Sequence, residues 1–156
     1  MSSERAKSGR VRRRRSNHWY WVAAIPAAFL LWLATLAWLA LASSWEAFGF
    51  GANTVELSLV PLGIPFVFLT AYFPLAVYRD ADYVNRTSGK WAPEPKQQAL
   101  VAALGLVVLV LVGVASVFLG LPPTLPVVAG FVVSVPFAAH YLYQRHEHVG
   151  TPDVPW

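Results

Sequence analysis

Few residues in this chain are of types and spacings that do chemistry. Asp80 and Asp82 stand one residue apart in Arg79-Asp80-Ala81-Asp82-Tyr83-Val84. Two carboxylates so close in sequence can hold a divalent cation against a phosphate. On a helix, however, residues two apart point in different directions. Lipid-headgroup transferases also place further acids on neighbouring helices, and this chain lacks the rest of that set. The plainer expectation is a solvated juxtamembrane helix, with Arg79 and Arg86 near headgroups. His140 falls within an apolar stretch, where it would serve as a proton relay or gate, or simply hydrogen-bond a neighbour or snorkel to the interface. His146-Glu147-His148 has metal-ligand types, but alternate residues converge only on an extended tail, not on a helix. Thr70, Tyr72 and Ser134 are hydroxyls that could line a passive pore beside Pro74 and Pro136; helix-packing bends are the simpler reading.

The exclusions are broader. The chain has no cysteine, which removes thiol catalysis, thiolate zinc sites and iron–sulfur clusters. It has no nucleophile–base–orienter set, no glycine-rich phosphate loop and no dinucleotide fingerprint. No residue is therefore assigned a catalytic, cofactor-binding or metal-binding role, and no cofactor is expected.

The elements that would carry these residues are apolar blocks. The chain has 156 residues, 56% hydrophobic and only 13% charged, against about a quarter charged in soluble domains. Four blocks, about 19–42, 57–78, 99–121 and 125–143, are each long enough to cross a bilayer as an α-helix. The expected architecture is all-α: an integral membrane four-helix bundle of two transmembrane hairpins, occupying residues 19–144. A basic tail (1–18), a loop (79–98) and a second tail (145–156) are expected in the cytoplasm. Trp19, Tyr20 and Trp21 at one end of the first block and Trp45 beyond the other mark headgroup levels, as do Tyr141 and Tyr143 on the fourth. Pro61, Pro65 and Pro74 interrupt the second block, and a bend near Pro74 is expected because its ring frees the Thr70 carbonyl. Gly113, Ser116 and Gly120 share a face of the third block, where small side chains let helices approach.

Orientation follows from the basic residues. Seven of the twelve Lys/Arg precede the first block, four lie in 79–98 and one, Arg145, follows the fourth block. Segments 43–56 and 122–124 have none. Four spans place all twelve on one side, which the positive-inside rule makes cytoplasmic, so both ends are in. A cleaved signal peptide, with Ala40-Leu41-Ala42 as its cleavage site, is the competing reading. The stretch is far longer than a signal's apolar core of roughly 7–15 residues, and cleavage would leave three spans. In the four-span topology the sequon Asn85-Arg86-Thr87 faces the cytoplasm and stays unglycosylated.

Tyr78 to Val84 (YRDADYV) and Tyr143 to Val149 (YQRHEHV) echo each other. Both follow a proline-containing block, as a duplicated hairpin would require, although two outgoing helices with the same interfacial anchors would also explain it. The first of these stretches with Trp91-Ala92-Pro93, and the ending Tyr141-Leu142-Tyr143-Gln144-Arg145-His146-Glu147-His148-Val149-Gly150-Thr151-Pro152, resemble small uncharacterised multi-pass membrane proteins of halophilic archaea. Nine Arg to three Lys and the lack of Cys agree with that source. The resemblance implies a cell-membrane location and this topology. It carries no activity and no functional residue.

The expected partners are the lipid bilayer, anionic headgroups at the Arg-rich tail, and a second copy or another membrane protein. Nucleic acid is not expected, because a basic flank at a first span already has a topological role. A non-catalytic structural or accessory role through helix–helix contacts is expected first. A small oligomeric transporter or pore comes second, and a lipid-headgroup enzyme third.

Overall fold

Each apolar block becomes a helix because it contains an internal row of residues spaced alternately three and four apart, the pattern that keeps one stripe of a helix against its neighbours. The computed structural model describes residues 18–43, 52–87 and 91–149. Its helices are α1 (His18–Ser43), α2 (Ala52–Thr87), α3 (Pro95–Leu119) and α4 (Leu125–Val149). The row on α2 is Phe66, Thr70, Phe73, Val77, Asp80 and Val84, all buried. On α4 it is Phe131, Ser134, Ala138, Tyr141 and Arg145. Val22, Ile25 and Trp32 serve α1, and Ala102, Gly105, Leu109 and Ser116 serve α3.

The helices form a ring. Each packs on its neighbours in sequence and α4 returns to α1, while α2 and α4 also meet across the middle. Among the described residues α1 and α3 do not touch. The chain is thus an all-α four-helix bundle with short, antiparallel connections. Among the described residues three helices, α1 over His18–Leu41, α3 and α4, are long and apolar enough to cross a membrane. The outward faces are apolar too. Leu104, Leu111 and Phe118 on α3, Leu30 and Trp38 on α1, and Ile64 and Phe68 on α2 are exposed.

The ends differ from the expected spans. α2 runs on past Tyr78 to Thr87, and α4 past Tyr143 to Val149, so the expected loop 79–98 is largely helical and Arg145 belongs to α4 rather than to a tail. At 36 residues and 1.5 Å per residue, α2 is about 54 Å long, well beyond a ~30 Å hydrocarbon core. Both α2 and α4 continue as helix across Pro74 and Pro136. α3 starts with Pro95 after an extended Glu94, and stops at Gly120. Gly120 takes φ 63°, and its N–H bonds to Ser116 O, a left-handed cap that other residues adopt at a cost. Gly120 is therefore the end of the helix and not part of a packing face with Gly113 and Ser116. The basic tail up to Asn17, Trp45 and Glu46 of the α1–α2 connection, and 150–156 lie outside the described residues.

Candidate functional site

The start of α1, the end of α2, the α2–α3 connection and the end of α4 come together at one end of the bundle. There the core rows of α2 and α4 carry opposite charges. Asp80 is fully buried and Arg145 is 5% exposed. Arg145 Nε donates to Asp80 Oδ2 at 2.8 Å, and Tyr141 Oη donates to the same oxygen at 3.1 Å. The Arg145 guanidinium also lies over the Trp19 ring, 5.7 Å from its centroid, a cation–π contact. A buried charge without a partner costs several kcal/mol. These contacts let a carboxylate and a guanidinium occupy the protein interior.

The connection covers this cluster. Trp91 packs on Tyr141 at 5.6 Å between ring centroids and stacks on His148 at 5.8 Å. Asn85 Nδ2 donates to Pro93 O at 2.8 Å, and Pro93 is buried. The side chain of the sequon asparagine therefore fastens the chain between α2 and α3.

Several expectations change here. Asp80 is not part of a solvated face; it is a core residue. Asp82 does face outward, and pairs with Arg86 at 3.0 Å one turn away. The two acids diverge as helix geometry requires, and no group of three or more metal-ligating side chains forms among the described residues. Tyr141 is not an interfacial marker, for it is 1% exposed and hydrogen-bonds Asp80; Tyr143, 66% exposed, does fit that role. Trp19 turns inward to Arg145, whereas Tyr20 and Trp21 are exposed. His140 and His146 lie on the outer surface of α4. His148 is also exposed, held by Trp91 and by Gln144 O at 2.8 Å.

The hydroxyls divide in a similar way. Thr70 and Ser134 are buried in the α2 and α4 rows, while Tyr72 is half-buried and packs edge-on to Trp21 at 5.2 Å. The tightest helix approach lies at Gly105, not at Gly113: a Cβ on Gly105 would overlap Ser134 Oγ, whereas one on Gly113 would make ordinary contacts with Pro126. A cleft of about 160 Å³ opens at the other end of the bundle, lined by Trp32, Gly63, Ile64, Val67, Pro123, Thr124 and Val127. His140 lies more than three turns of α4 away from it.

The two echoing stretches prove to be partners. Asp80 and Arg145 hold the third position in each, and they pair with one another. Phe66 and Phe131, separated by the same interval along the chain, stack at 3.6 Å. Contacts between equivalent positions of α2 and α4 are what a twofold relation between the hairpins would produce.

The missed residue was Arg145. Its signal was its position four residues after Tyr141 on the buried face, just as Asp80 continues the row Phe73, Val77. No protein-family model, curated protein or solved structure matches the chain.

Proposed function

We propose that this chain is a multi-pass protein of the cell membrane, crossing four times with both ends in the cytoplasm, and that it is a non-catalytic accessory component acting through helix–helix contacts. α2 is drawn across with the rest. It packs between α1 and α3, and its outer face carries Ile64, Val67, Phe68 and Leu75. The observation that supports the accessory reading is the pairing of Asp80 with Arg145. The carboxylate that its residue type offered to a metal or a proton is committed to a guanidinium and a phenol. The outward faces of α1 and α3 carry the exposed apolar side chains Leu30, Trp38, Leu104, Leu111 and Phe118, suited to lipid or to another span.

Topology is tested with single cysteines, which the chain's lack of Cys makes clean. In spheroplasts, Ser44→Cys should react with an impermeant maleimide, whereas Ser8→Cys, Ser88→Cys and Thr151→Cys should react only after lysis. The accessory role is tested by purification in mild detergent with mass spectrometry. A stoichiometric membrane protein that is lost from the Leu104→Arg and Leu111→Arg variants supports it. A clean homo-oligomer that passes solute in vesicles favours a pore, and turnover of lipid headgroups favours an enzyme.

A further inference from the structure

We propose that the α2–α4 seam binds one water molecule deep in the bundle, between Thr70 and Ser134, and that this water is part of the packing. Phe66 stacks on Phe131 above this level, and Phe73 meets Phe137 edge-on at 5.9 Å below it. Thr70 and Ser134 occupy the intervening positions of the same two rows, so register sets them at one level. Thr70 is fully buried and Ser134 1% exposed, yet neither hydroxyl has a hydrogen-bond partner among the described residues. Hydroxyls in helices ordinarily bond the carbonyl four residues back, as Ser116 does to Val112 O at 2.7 Å and Thr35 to Leu31 O at 2.9 Å. Pro74 has no N–H, so the Thr70 carbonyl also lacks its intrahelical donor.

Two hydroxyls and one carbonyl at a single level supply the two to four polar partners that a buried water requires. The chemistry selects a neutral ligand. No Asp or Glu belongs to this level of the described rows, and an uncompensated ion would be strongly disfavoured there. Gly105 supplies the third wall, because Ser134 Oγ lies where a side chain would be. The aromatic pairs above and below make this an occluded site rather than a channel. The inference does not depend on the accessory role.

Water-edited solid-state NMR in liposomes, with the whole chain, tests the proposal. Polarisation should pass quickly from water to the Thr70 and Ser134 side chains and should vanish in the Thr70→Val/Ser134→Ala variant. Absence of transfer at both residues overturns the proposal. A second measurement is the unfolding equilibrium of the single and double variants. Because one water is lost only once, the double variant should be no worse than the worse single, each single shifting the equilibrium roughly threefold to tenfold. Additive effects, including two neutral singles, overturn it.

Discussion

Removing the Asp80 carboxylate while keeping its size, as in Asp80→Leu, leaves Arg145 buried against Tyr141 without an anion. Nε and Oδ2 are 2.8 Å apart, which places the charge centres about 4 Å from one another. At an effective dielectric near 20, their attraction is about 4 kcal/mol. The Tyr141 hydroxyl loses its acceptor as well, adding roughly 1–3 kcal/mol. Relaxation of Arg145 toward the headgroups offsets part of that sum, so the expected cost is about 3–5 kcal/mol, the range for breaking a buried pair from one side. Arg145→Met should cost a similar amount. The double variant Asp80→Leu/Arg145→Met has no buried charge, and should lie within about 1.5 kcal/mol of the native chain. The assay is reversible unfolding in mixed detergent micelles, followed by tryptophan fluorescence, with Trp19 and Trp91 beside the cluster as reporters. Additive losses, or single variants each costing under 1 kcal/mol, would refute the reasoning that this pair is buried and mutually dependent.

Three further outcomes are expected. Gly105→Ala should destabilise the bundle by roughly 1–3 kcal/mol through overpacking, and Ser134→Gly should restore much of the loss, because Ser134 Oγ and Cβ are the atoms in the way; thermal melts of the two single variants and the double variant would show this. Phe131→Ala removes the ring that Phe66, Phe29 and Trp32 all touch and should cost about 3–5 kcal/mol, while Phe118→Ala on the outer face (83% exposed) should change stability by less than about 0.5 kcal/mol. Arg86→Ala, which breaks the outward pair with Asp82, should cost no more than about 1 kcal/mol and less still in high salt.

The class of the molecule was legible in the sequence because apolar block length and charge placement are local properties. A run of some twenty uncharged residues needs no knowledge of its neighbours to be a helix of membrane length. The α3–α4 hairpin was legible as well, since the few residues around Pro122 leave room only for a turn. The continuation of α2 to Thr87 agrees with the juxtamembrane helix expected around Arg79 and Arg86; that of α4 to Val149 was missed because the transition from hydrocarbon to headgroup chemistry was taken as the end of the helix. A charged segment can continue a helix out of the apolar layer, as the one-turn Asp82–Arg86 pair does.

The interior polar groups were another matter. Read along the chain, Asp80 belonged with Asp82, and Arg145 with the histidines that follow it. The bundle separates each from its neighbour, because residues two apart on a helix face opposite ways while residues three and four apart share a side. The 3–4 rows that contain Asp80 and Arg145 were present in the sequence. Which row faces which, and at what height, depends on the register of α2 against α4, set by contacts such as Phe66 on Phe131 and by the close approach at Gly105. The sequence by itself determined that this is an apolar, helical chain with its basic residues gathered at alternate ends of its apolar blocks. Only the tertiary structure decided that one acid and one base, sixty-five residues apart, would neutralise each other in the core, since a charge is tolerated there only where another helix delivers its partner within hydrogen-bonding distance.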